Sequence, residues 1–224
     1  MFVLTTISLS PVHAASKERG ASPMRDVAAN EAAEPLDQTT ASAPSEAAGR
    51  LLAWIAASGD NGDLPYMVID KQAGLLHLYS KRGEPLGEAP VLIGVALGDD
   101  ATPGIGSKKL SEIGPAEKTT PAGRFLAKYG WAAGQQKVLW VDYATSVALH
   151  AVVTGNRRER RLERLASASP EDNRITFGCI NVPAEFYTET VRTAFSDNGG
   201  IVYVLPDTRP LEEVFPQVRL LPYL

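Results

Sequence analysis

From Pro65 onward the chain is a succession of short apolar runs, most of them with a period of two. Tyr66–Asp70 and Leu75–Tyr79 are two such runs, joined by the turn Lys71-Gln72-Ala73-Gly74. Alternation sends successive side chains to opposite faces, the signature of a strand. The same reading predicts strands at 90–95, 124–129, 138–143, 147–150 and 200–205. Two helices are expected between them. One is arginine-rich, over 157–166, and the other covers 183–196, with Pro183 near its first position, where a missing N–H costs nothing. Many short strands and few helices predict a mainly β domain, a sandwich or barrel. No internal repeat is visible.

Upstream of Pro65 the texture differs. Residues 1–14 read as the end of a secretion signal: Phe2, Val3, Leu4, Ile7 and Leu9 are apolar, and Val12-His13-Ala14 fits a small-x-small cleavage site, although a basic n-region is absent. Residues 15–44 are rich in Ala, Glu, Ser, Pro and Thr and lack aromatic residues, so they are expected to form a disordered tether. Residues 45–64 are read as a short helix and turn, with Ser45 as N-cap and Leu51, Leu52, Trp54 and Ile55 as an apolar stripe. The domain proper is placed at 65–207, with 208–224 as a C-terminal extension. With 22 basic against 26 acidic residues the net charge is −4, which argues against a nucleic-acid partner. No apolar run reaches the roughly 20 residues of a membrane helix. One cysteine and three histidines make a metal site a poor expectation, and neither a metal nor an organic cofactor is implied. An exported, periplasmic protein is the expectation.

The segment Ile175-Thr176-Phe177-Gly178-Cys179-Ile180-Asn181-Val182-Pro183 carries the chemistry. Its cysteine is the only one in the chain. A thiol becomes a nucleophile as its thiolate, which a helix start, a cation or a histidine favours. A helix is expected a few residues on, Gly178 leaves room for approach, and neighbouring backbone N–H groups could hold an oxyanion. The plainer alternative is a buried space-filling thiol. Of the histidines, His13 falls in the leader and His77 sits mid-strand as a surface or half-buried residue. His150, at the end of a strand, is the remaining candidate base.

These residues resemble the L,D-transpeptidase catalytic-domain (YkuD-like) family. That family carries a histidine, a gap, and a Ser/Thr-His-Gly-Cys motif followed by an apolar residue and Asn or Arg. Here His150 is followed, after residues 151–175, by Thr176-Phe177-Gly178-Cys179-Ile180-Asn181. Thr120-Pro121-Ala122-Gly123-Arg124-Phe125 resembles the family's Thr-Pro-x-Gly-x-Phe segment, and Gly199-Gly200-Ile201-Val202-Tyr203-Val204 its last strand. The resemblance runs from Pro65 to Pro206. Two departures stand out: Phe177 replaces the usual histidine, and the gap is longer than usual.

The resemblance implies a cysteine acyltransferase acting on peptidoglycan stem peptides. Cys179 would attack the carbonyl at stem position three and expel D-Ala, and an amine or water would resolve the thioester. His150 would be the base, and backbone N–H groups near Gly178 the oxyanion donors. Thr176, Phe177, Asn181 and Arg174 would line the substrate site, with Phe177 as an apolar wall and Arg174 on a stem carboxylate. Asn181 as a turn-stabilising side chain and Arg174 as a structural ion pair remain alternatives. Arg157, Arg158, Arg160, Arg161 and Arg164 read as a solvated face or as a flap for anionic wall polymers. Trp131, Trp140, Tyr129 and Tyr143 read as core or strand-face residues, with a glycan platform as the alternative, and Thr120-Pro121 as a turn. The alternative function is a peptidoglycan-binding module of the same fold that has lost turnover. No match to papain-like or caspase-like cysteine signatures is present.

Overall fold

The computed structural model describes residues 43–224. The leader and all but the end of the tether read from the sequence lie outside the described residues. Strand β1 (Tyr66–Asp70) pairs antiparallel with β2 (Leu75–Tyr79) and parallel with β10 (Gly200–Val204). All five residues of β1 and of β10 are buried. Their alternation explains this: Met67, Ile69, Val202 and Val204 enter one core, while Tyr66, Val68, Ile201 and Tyr203 enter another on the opposite face. A strand covered on both sides needs apolar residues at every position.

The remaining strands are β3 (Pro85–Pro90), β4 (Ile93–Gly94), β5 (Gly123–Trp131), β6 (Lys137–Asp142), β7 (Val147–Ala151), β8 (Arg174–Thr176) and β9 (Ile180–Val182). Eight of the ten form one sheet in the order β3-β2-β1-β10-β5-β6-β7-β9, and β4 and β8 form a parallel pair. The ends of the large sheet nearly meet. Leu92, just past β3, and Asn181 in β9 exchange both backbone hydrogen bonds at 2.8 Å. The fold is thus mainly β, a sheet curled into a near-barrel.

Helix α1 (Glu46–Ser58) is capped by Ser45, whose Oγ accepts from Ala48 N at 3.2 Å. Its Leu51, Trp54 and Ile55 join Leu211 of the short helix Leu211–Val214, together with Phe215 and Val218, over the outer face of β1 and β10. Both flanking segments therefore contribute residues to the core, from Ala48 to Ile55 on one side and from Leu211 to Val218 on the other. The boundaries at 64/65 and 207/208 mark changes of sequence texture rather than of packing.

Several local expectations change. The run 90–95 is not one strand. Pro90 ends β3, Val91 N–H donates to Gly74 O, Leu92 pairs with Asn181, and Ile93 pairs with Arg174. The run is apolar because three partners enclose it. His77 is buried rather than at the surface or half-buried: β3 pairs alongside β2 and sets Glu88 opposite it, with Oε2 3.0 Å from Nδ1. The arginine-rich helix is broken at Arg160, which has φ +50°. A 3-10 turn (Arg157–Glu159) precedes it and α2 (Arg161–Leu165) follows. The helix after Pro183 widens into a π turn at Phe186–Val191, and its Tyr187, Val191 and Phe195 plug the inner core.

Candidate active site

The site forms where β7 and β9 run parallel. Their register sets Leu149 against Ile180 and His150 against Asn181. Cys179 immediately precedes β9 and lies two residues before Asn181, so both side chains leave the same face of the sheet. The connection between β7 and β9 is the long insertion that carries the arginines.

The loop bearing the thiol is held from within. Thr176, buried at 2% exposure, donates from Oγ1 to Cys179 O at 2.6 Å and accepts from Gly178 N at 3.1 Å. Thr120, equally buried, donates from Oγ1 to Gly178 O at 2.8 Å and accepts from Gly94 N at 2.9 Å. Gly178 has φ +124°, and a Cβ there would lie 2.7 Å from Thr119 O. Only glycine satisfies both the backbone angle and the space. Behind Thr120, the fully buried Lys71 donates from Nζ to Thr120 O (2.9 Å), Gly98 O (2.7 Å) and Asp99 Oδ1 (3.1 Å), with Asp207 Oδ2 at 3.3 Å.

Around Cys179 and His150 the geometry is equally specific. Cys179 Sγ, half-buried, donates to Ser146 O at 3.8 Å. Burial pushes its pKa up, against smaller opposing effects of the Ala148 backbone N–H and the Arg161 charge. The His150 pKa is lowered, first by burial and then by Arg161, with the Ala151 carbonyl opposing. His150 Nδ1 lies 2.8 Å from Ala151 O, and Nε2 lies 3.1 Å from Asn181 Nδ2. A carbonyl only accepts, so Nδ1 carries the proton and Nε2 the lone pair. Both partners are thus neutral near pH 7, and no hydrogen bond joins Sγ to the ring. Arg161 Nη1 donates to Asn181 Oδ1 at 2.6 Å, and its Nε donates to Glu159 Oε2 at 2.5 Å.

The structure brings Cys179, Gly178, Thr176, His150 and Asn181 together. It gives two others different surroundings. Arg174 is paired to Asp207 at 2.7 Å, both side chains largely buried, which is the structural ion pair rather than a free carboxylate clamp. Phe177 is 38% exposed, and its ring lies under Lys118 Nζ, 3.6 Å from the centroid. A helix does start a few residues on, after Pro183, with β9 between it and the thiol. The Gly178 amide, expected to face an oxyanion, is occupied by Thr176. Trp131 and Tyr143 are 71% and 77% exposed, on the surface rather than in the core. Sequence reasoning missed the contacts of Thr120, Lys71, Lys118 and Arg161. The Thr-Pro-x-Gly-x-Phe segment was the signal for Thr120, while the others had none. Among the described residues no group of three His, Cys, Asp or Glu side chains could hold a metal ion, and no helix is long and apolar enough to cross a membrane.

No protein-family model and no curated protein matches the sequence. Solved structures do match. The L,D-transpeptidase of Xylanimonas cellulosilytica (residues 123–326) is 13% identical, over 63% of this chain and 60% of that one, with a TM-score of 0.38. The helical cell shape determining protein Pgp2 of Campylobacter jejuni (K307A mutant) is 12% identical, over 81% and 64%, with a TM-score of 0.45. The catalytic domain of the E. faecium L,D-transpeptidase is 17% identical, over 64% and 98%, with a TM-score of 0.38. The chain thus spans less than two thirds of the first two. All three scores lie below 0.5, and the reading of the site rests on its own residues.

Proposed function

We propose that this protein is a cysteine acyltransferase acting on peptidoglycan stem peptides, an L,D-transpeptidase or L,D-carboxypeptidase, with Cys179 as nucleophile and His150 as base. The observation that carries the reading is the β7–β9 register, which sets His150 beside Asn181 and two residues from the lone cysteine. The anchoring of Nδ1 on Ala151 O supports it, because that leaves Nε2 as the basic nitrogen. The substrate class comes from the resemblance of Thr176–Asn181 and Thr120–Phe125, and brings with it an exported, periplasmic location.

In this mechanism Nε2 takes the Sγ proton as the sulfur adds to the peptide carbonyl. The oxyanion is met by the Cys179 amide, since the Gly178 amide is engaged. The C–N bond then breaks, His150 returns the proton to the leaving amine, and a thioester remains. An incoming amine or water adds to the thioester and regenerates the thiol. Neutral thiol and neutral imidazole form the resting pair, so proton transfer belongs to the addition step.

A second reading is a peptide-binding module without turnover. The observation favouring it is that Nε2 is held by Asn181 and not by Sγ. Incubation with disaccharide-tetrapeptide and mass spectrometry, with Cys179→Ala as control, separates the two. Cysteine-dependent release of the terminal residue supports the enzyme. Binding without release, in folded protein, supports the module.

A further inference from the structure

Asn181 offers the site one carbonyl oxygen and one NH2, and two neighbours compete for them. Arg161 is a guanidinium and can only donate. Its Nη1 lies 2.6 Å from the Asn181 amide, so the atom facing it must be the carbonyl oxygen. The NH2 is then committed to the other side, where it meets Nε2 of His150 at 3.1 Å. The orientation follows from donor and acceptor counting and needs no view of the hydrogens. Nδ1 is already committed as a donor to Ala151 O. A proton on Nε2 would therefore face an NH2 group, donor against donor, with the Arg161 charge behind it. The ring could become imidazolium comfortably only if the amide turned over, and Arg161 blocks that turn.

We propose that Arg161 is a positioning residue of this site: by pinning the Asn181 carbonyl it forces the amide NH2 onto Nε2 and holds His150 as a neutral base. The inference rests on the cysteine acyltransferase reading and adds a role for the insertion. Arg161 can reach Asn181 because the chain breaks at Arg160, and its aim is fixed by Glu159 through Nε. Its side chain is 14% exposed, unlike that of Arg160, which pairs with Glu163 at the surface. In turnover the same arrangement acts after proton transfer. Nε2–H then meets the NH2 donor, which drives the proton on to the leaving amine and returns the ring to neutrality. The charged and titratable groups around the ring are Arg161, with Glu159 behind it, from the insertion, and Cys179 from the β9 side.

The test is 15N NMR of the histidine ring nitrogens in the full chain, titrated without substrate. Wild type should show Nδ1 protonated and Nε2 bare at pH 7. Arg161→Met should raise the His150 midpoint by about one pH unit, the size of effect a nearby charge and a freed acceptor produce. Arg161→Lys, which keeps charge and donor, should stay near wild type. The decisive comparison is Arg161→Met in an Asn181→Ala background. An effect passed through the amide shrinks to less than half there. An equal rise in both backgrounds assigns Arg161 a direct charge effect or a merely structural one and overturns the proposal. So does a proton on Nε2 in wild type, a result that requires no variant to fold. These readouts use free protein, so loss of the acyltransferase reading would appear separately, as absent turnover with the titrations intact.

Discussion

Lys71 reaches Cys179 through Thr120 and Gly178, Arg161 reaches His150 through Asn181, and the two are held in opposite ways. Lys71 has no exposed surface and meets two carboxylates and two carbonyls drawn from segments 98–120 and 207. One of those carboxylates, Asp99, sits far below its usual range. Burial alone would raise it, but hydrogen bonds from Asp207 N, Thr208 and Arg209 N outweigh burial. Arg161 belongs to a surface arm whose neighbours Arg157, Arg158 and Arg160 are exposed, and a single carboxylate aims it. The frame behind the thiol fixes backbone: Lys71 holds Thr120, and Thr120 holds Gly178. The arm in front fixes a side-chain amide. The difference teaches that the position of the thiol loop depends on buried, long-range contacts, while that of the amide beside His150 depends on a surface insertion.

The largest expected break in that contrast is Gly178→Ala. It combines a strained φ with a Cβ at 2.7 Å from Thr119 O and should cost about 3 kcal/mol, read as a fall in unfolding free energy together with lost thiol positioning. Thr120→Val comes next. It leaves Gly178 O and Gly94 N unpaired in a buried place, a loss of about 2 kcal/mol. At this chain length that lowers Tm by roughly 4–8 °C, measurable by calorimetry.

A smaller effect is pH dependence. The depressed His150 pKa gives stability that is present above the unfolded value of about 6.5 and is lost as pH falls through the folded value. The raised Cys179 pKa gives stability present below about 8.5 and lost as pH rises through the folded value. Tm should be highest between the two, and His150→Gln should flatten the acid side of that window alone. Smallest of all is Glu163→Gln, which removes an exposed pair with Arg160 on the arm. Tm should not move, and a drop comparable to that of Thr120→Val would erase the contrast between frame and arm.

How much of this could be read in advance follows the same division. β1 and β10 were legible because strands buried on both faces leave continuous apolar runs, and β2 because a short apolar run follows β1 after a four-residue turn. Cys179 and His150 stood out as candidates because one is the sole cysteine of the chain, in a Gly-Cys motif, and the other is the remaining histidine at the end of an apolar run. β3 was not legible: five of its six positions are exposed or half-buried and its sequence, PLGEAP, holds two prolines and a glycine, so only pairing with β2 makes it a strand. Lys71 looked like a turn residue because nothing local announces that Asp99 and Asp207 will close over it. Arg161 looked like one cation among several on a solvated face. Its role depends on a backbone break at Arg160 and on an amide in a distant strand, and neither has a local signature.

The central claim is that Cys179 forms an acyl-enzyme with a stem peptide. Intact-protein mass spectrometry after mixing with disaccharide-tetrapeptide tests it most directly. The account predicts a mass increase equal to the donor minus its terminal D-Ala, located on Cys179 and absent from Cys179→Ala. Release of D-Ala that persists in Cys179→Ala would contradict it, as would bound but uncleaved peptide on the folded wild-type protein.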